Sequence, residues 1–107
     1  MSDVVASEQV LQRFRQEIGA LYGNRLERVV LFGSRARGDE RADSDYDIAV
    51  FIRTPDELWD ELGRLSHITT RILDETGAIV SASPFPAGAW REQSPLMREI
   101  REDGIDL

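Results

Sequence analysis

The chain has 107 residues, of which 31% are charged and 41% hydrophobic, with a formal net charge of −7 and no cysteine. That length suits one domain built on a single core, residues 1–107, and the missing cysteines exclude disulfides, zinc–thiolate sites and thiol chemistry. An acidic chain lacks the basic face that phosphate neutralisation demands, so direct nucleic-acid binding is not expected.

In chain order, Met1-Ser2-Asp3-Val4 has neither the basic start nor the apolar run of a secretion leader. No later stretch approaches the roughly 20 apolar residues of a membrane span, so a cytoplasmic protein is expected. Ser7 is placed to cap a helix over residues 8–22, whose apolar positions are Val10, Leu11, Phe14, Ile18 and Leu21. Gly23-Asn24 stops it. Arg28–Phe32 reads as a short apolar strand, central in a sheet. Residues 35–44 read as a polar loop with one helical turn, and Tyr46–Ile52 as the second strand.

Thr54-Pro55-Asp56-Glu57 has the form of a helix start, with Thr54 as cap, Pro55 at the first position and Glu57 completing a capping box. Leu58, Leu62, Leu65, Ile68, Ile72 and Leu73 make the expected buried stripe, ended by Gly77. His67, on this helix, has no second ligand a turn away and reads as an ordinary residue. Trp59 and Trp90 read as core or half-buried packing. Ala78–Ser83 is the third strand, closed by Pro84 and Pro86. Ser94-Pro95 starts a last helix carrying Leu96, Met97 and Ile100, with Gly104 at its end. The order α-β-β-α-β-α predicts an α+β fold, a small mixed sheet with helices on one face.

Within this frame, ten residues separate Gly33-Ser34 from Asp45-Tyr46-Asp47. An apolar run ends in Gly-Ser, and the next apolar run opens with two carboxylates one residue apart. Alternation along a strand points Asp45 and Asp47 to one side and Tyr46 to the other. Two adjacent carboxylates repel unless a cation lies between them, and oxygen ligands suit Mg²⁺. Gly33 lets backbone approach a phosphate, and Ser34 adds a hydroxyl and an N–H. The pattern points to a metal–triphosphate site.

The residues Gly33, Ser34, Arg35, Ala36, Arg37, Gly38, Ser44, Asp45, Asp47 and Ile48–Phe51 resemble the signature of nucleotidyltransferases related to DNA polymerase beta. More closely, the chain resembles the minimal nucleotidyltransferases (MNT), antitoxin partners of HEPN-domain toxins. The tail from Ser94-Pro95-Leu96 to Asp106-Leu107 is similar to the way such short chains end. The resemblance implies the nucleotidyltransferase fold, with ATP as substrate and Mg²⁺ held by Asp45 and Asp47. It further implies that Gly33 and Ser34 hold the β- and γ-phosphates, with Arg35 or Arg37 neutralising phosphate charge. Ser34, Asp45 and Asp47 are then the catalytic candidates. The implied partner is a HEPN-type ribonuclease, which receives AMP within a hetero-oligomer. Family members usually add a third carboxylate from the next strand, where this chain has Ser81 and Ser83 and no acid; Glu75 lies just before it. That departure supports a rival expectation, an antitoxin-like subunit acting by contact alone. A third is a small-molecule transferase of the aminoglycoside-modifying kind.

Overall fold

A computed structural model describes residues 3–41 and 43–107; Met1 and Ser2, at the start of the segment read for a secretion leader, lie outside the described residues. Asp3–Tyr22 forms α1, so Ser7 lies within the helix rather than capping it. Its hydroxyl instead lies 2.9 Å from the Tyr46 hydroxyl across the domain. Val10, Phe14, Ile18 and Tyr22 recur every fourth residue and are buried, while Leu21 is exposed. Tyr22 thus takes the inner place expected of Leu21, because a four-residue step stays on one helix face.

A 3₁₀ turn, Gly23–Arg25, leads into β1 (Leu26–Phe32). The single turn α2 (Ser34–Arg37) follows, then β2 (Tyr46–Ile52). Next come α3 (Leu58–Thr76), β3 (Val80–Pro86), a 3₁₀ segment (Ala87–Arg91), α4 (Pro95–Asp103) and the short β4 (Ile105–Asp106). The strands stand in the order β3-β2-β1-β4. β1 runs antiparallel to β2 and β4, and β2 runs parallel to β3, which makes the sheet mixed as expected. β3 continues through Pro84 and Pro86 rather than stopping before them. A strand with one free edge accommodates residues without an N–H.

The two long helices cover one face, where Phe14, Ile18, Leu65, Ile68 and Ile72 pack on Val29, Leu31, Ile48 and Val50. The alternate residues Val30, Ala49 and Phe51 face the other way and are covered by Ala89, Met97 and Ile100. Helical cover is therefore present on both faces, since β2 is apolar at nearly every position and would otherwise expose Ala49 and Phe51. Ser94 caps α4 by accepting from the Met97 N–H at 3.1 Å, as its sequence indicates. Gly104 then turns the chain back into β4, where a Cβ would strike the Ile100 carbonyl and the Val30 side chain.

The start of α3 differs from expectation. Thr54 has φ of +46°, and the helix opens only at Leu58, with no side-chain cap at its N-cap residue Glu57. Glu61 takes over the task from inside the helix. Its carboxylate, 1% exposed, accepts from the Asp56 N–H, the Tyr22 hydroxyl and Arg64, each at 2.9 Å. The buried stripe becomes Glu61, Leu65, Ile68 and Ile72, leaving Leu58 and Leu73 exposed and Leu62 half-buried. Trp59 stands two residues before Glu61, about 200° round the helix, and is 81% exposed instead of packed. His67 is exposed and Trp90 half-buried, in line with expectation.

Candidate active site

The site is built where β1 ends. Gly33 leaves the strand with φ of 75° and ψ of −157°, a conformation that disfavours a side chain. The Gly33 carbonyl accepts from the Ala36 and Arg37 N–H groups, both at 3.2 Å, which winds α2 immediately after the strand. Gly38, left-handed at φ 81°, ends that turn. Ser34 heads it, and its hydroxyl makes no hydrogen bond among the described residues.

Antiparallel pairing of Phe32 with Asp47 brings the start of β2 beside this turn. An added Cβ on Gly33 would run into the Asp47 carboxylate, so the glycine leaves room for that acid. Asp47 is half-buried, and Asp45, just before the strand, is exposed. Tyr46 between them is buried among α1 and α3 on the opposite face, as alternation requires. Burial pushes the Asp47 carboxyl above its ordinary pKa, and the charges of Asp45 and Glu99 add to the shift. Arg37 opposes it. A site that raises the free energy of its own ionised carboxylate is poised to accept a cation.

The two candidate arginines part company. The Arg35 guanidinium lies 3.9 Å from the centre of the Tyr46 ring and donates to the Ser44 carbonyl at 2.9 Å. It therefore faces away from Asp47, into an open groove of about 850 Å³ that also involves Ser7, Leu11, Arg41, Ser44 and Ile79. Arg37 stays on the Asp47 side, with ion pairs to Asp39 at 3.4 Å and Glu99 at 3.1 Å. The sequence left Arg35 and Arg37 equivalent; stacking on Tyr46 separates them.

In β3, Ser81 stands in register beside Asp47 and Ser83 beside Ala49. Glu75 is committed elsewhere, paired with Arg13. The acid that does approach is Glu99 from α4, which nothing in the local pattern marked. Glu99 lies between Met97 and Ile100, the apolar residues that dock α4 on the sheet, and that docking alone brings it here.

The donor set fits a magnesium–triphosphate complex. Mg²⁺ usually takes one or two protein carboxylates and fills its remaining positions with water and substrate phosphates. Asp45 and Asp47 would supply those carboxylates; no group of three or more acids or histidines with metal-binding geometry occurs among the described residues. Ser34 and Arg37 would face the phosphates. When bound, the cation would neutralise charge building on the reacting phosphate.

Residues 16–83 match the family of polymerase beta nucleotidyltransferases, and the chain belongs to that family. Within it the chain is of the minimal type. A solved candidate minimal nucleotidyltransferase aligns over 94% of both chains at 26% identity, with a TM-score of 0.59. A candidate nucleotidyltransferase from Sulfolobus solfataricus has the same fold, covering 94% of this chain and 84% of its own at 23% identity and TM-score 0.61. So does a chain from a toxin–antitoxin complex solved with AMP-PNP, covering 87% and 68% at 20% identity and TM-score 0.56. A stretch of 45 residues is 36% identical to a candidate protein adenylyltransferase of Methanocaldococcus jannaschii. It takes up 42% of this chain and 46% of that protein, so the match spans about half the length of the curated relative. Among the described residues, no helix is long and apolar enough to cross a membrane.

Proposed function

We propose that residues 1–107 act as a single minimal domain that transfers AMP from ATP to a hydroxyl of a partner toxin of the HEPN ribonuclease class, and so act as its antitoxin in a hetero-oligomer in the cytoplasm. The acceptor oxygen attacks the α-phosphorus, the bond to the β-phosphate breaks, and pyrophosphate leaves while the hydroxyl proton passes to solvent. Asp45 and Asp47 would hold Mg²⁺ at the triphosphate. Gly33 and Ser34 would seat the β- and γ-phosphates, and Arg37 would offset their charge. Arg35, stacked on Tyr46, would shape the loop.

The observation that carries this proposal is the meeting of the Gly33–Ser34 turn with Asp47 and Arg37 at the end of the central strand pair β1 and β2. The relative named for protein adenylylation supports a protein acceptor, and the toxin–antitoxin neighbour solved with AMP-PNP supports a toxin partner and an adenine nucleotide. The groove beside Ser44 has room for a polypeptide segment. One observation favours neutralisation by contact alone: Ser81, not an acid, lies next to Asp47. A hydroxyl is a poor general base near neutral pH. Nothing in the structure similarly favours the small-molecule transferase.

Mass spectrometry of the co-encoded partner after incubation with this protein, ATP and Mg²⁺ tests the proposal. Addition of AMP that disappears with Asp45→Asn/Asp47→Asn supports transfer. A stable complex without added mass supports contact.

A further inference from the structure

We infer that Glu99 is a positioning residue for Arg37, holding its guanidinium at the Asp47 face so that it can meet the triphosphate; this rests on the nucleotide-binding part of the proposed function. The two residues lie 62 positions apart in sequence, and Arg37 Nη1 donates to Glu99 Oε1 at 3.1 Å.

The backbone of Arg37 is fixed, because its N–H bonds to the Gly33 carbonyl and the next two N–H groups, of Gly38 and Asp39, bond to the Ser34 carbonyl at 3.0 and 3.1 Å. Its long side chain is not fixed by that. Left to itself, the guanidinium would be drawn towards the nearest uncompensated carboxylates, Asp45 and Asp47, and would compete with the cation they are to hold. Two other acids restrain it. Asp39 sits on the same exposed turn, with its side chain 62% exposed, and can follow Arg37 wherever it moves.

Glu99 comes from a different and firmer element. Met97 and Ile100 on either side of it are buried against Val30, Ala49 and Phe51, and Ser94 caps the helix start. A carboxylate on such a helix can hold the guanidinium by one edge. Arginine has five N–H donors, and the pairs with Asp39 and Glu99 engage Nε and Nη1, leaving Nη2 for phosphate. Glu99 does not itself complete a metal-binding cluster with Asp45 and Asp47. Its position thus suits the cation next to the metal ligands better than the metal.

The test uses the full chain with Glu99→Gln and Glu99→Asp, beside Asp45→Asn/Asp47→Asn. ATP affinity in Mg²⁺ is measured by calorimetry, and order of the Arg37 Nε–H group by ¹⁵N relaxation. Expected is a loss of about 10-fold in ATP affinity in Glu99→Gln, a more mobile Arg37 Nε–H in the nucleotide-free protein, and partial recovery of both in Glu99→Asp. Wild-type binding that the double asparagine variant loses but Glu99→Gln retains would overturn the positioning role while leaving the nucleotide site standing. An Arg37 Nε–H equally ordered in wild type and Glu99→Gln would overturn it as well. A wild type that binds no ATP with Mg²⁺ would overturn the nucleotide site itself, and the positioning role with it.

Discussion

The Asp47 carboxylate lies directly against the Gly33 backbone, so close that a Cβ there would meet its carboxyl carbon at 3.3 Å and collide with Oδ2. Space and a φ of 75° both exclude a side chain at residue 33. Gly33→Ala is expected to cost about 1–3 kcal/mol of stability, read by denaturant unfolding, and to displace Asp47. Loss of Mg²⁺-dependent ATP binding beyond the stability effect would report that displacement.

Burial raises the Asp47 carboxyl above its ordinary pKa, followed in effect by Asp45 and Glu99. The sign follows: stability from this group is complete below the unfolded carboxylate pKa of about 3.9 and is lost as pH rises through the higher folded value. A cation bound at Asp45 and Asp47 in the folded chain alone offsets that loss. Mg²⁺ is therefore expected to raise the Tm of wild type at pH 7 and to leave Asp45→Asn/Asp47→Asn unaffected. AMP transfer should fall by more than about 100-fold in the same variant. Calorimetric scans with and without Mg²⁺ and a transfer assay check both.

Arg35 and Arg37 should respond differently to truncation. Arg35→Ala removes a guanidinium from the Tyr46 ring and should lower stability by about 1 kcal/mol, with a modest effect on ATP affinity. Arg37→Ala should do the reverse, weakening ATP binding about 10-fold with little change in Tm. Paired unfolding and calorimetric titrations separate the two; equal losses of affinity would contradict the geometry.

Glu61 is the buried charge on which the start of α3 depends. Burial pushes its carboxyl up, but hydrogen bonds from the Asp56 N–H, Arg64 and Tyr22 outweigh it and hold the pKa below the ordinary value. Its stabilisation is therefore present above the unfolded glutamate pKa of about 4.3 and lost as pH falls through the lower folded value. Glu61→Ala should cost about 2–4 kcal/mol, because the Tyr22 hydroxyl and Asp56 N–H lose their acceptor. Unfolding free energies measured from pH 7 to pH 3 should fall more steeply for wild type than for Glu61→Gln.

How much of this was legible beforehand differs by residue. Tyr46–Ile52 was readable to its ends, since an apolar run broken only by Asp47 and bounded by Asp45 and Arg53 has few other uses. The Ser94 cap and the Gly77 stop follow from local rules that act over three or four residues. The Thr54 capping box satisfied the same local rules and still did not form, because Glu61, Tyr22 and Arg64 offered the loop a better buried acceptor network. β4, only two residues long, carries too little pattern to announce itself and exists because Leu107 and its neighbours reach β1.

The sequence by itself determined the spacing of Asp45 and Asp47 from Gly33-Ser34 and the opposite facing of Tyr46 and Asp47 at the start of β2, because alternation and glycine geometry are local properties of the backbone. Only the tertiary structure decided which arginine attends them and which acid attends that arginine. Arg35 is turned aside by Tyr46, a contact nine-to-eleven residues of loop must close, while Arg37 is met by Glu99 from the far end of the chain. Such pairings depend on where α4 docks against the sheet, and no periodicity near Gly33 carries that information.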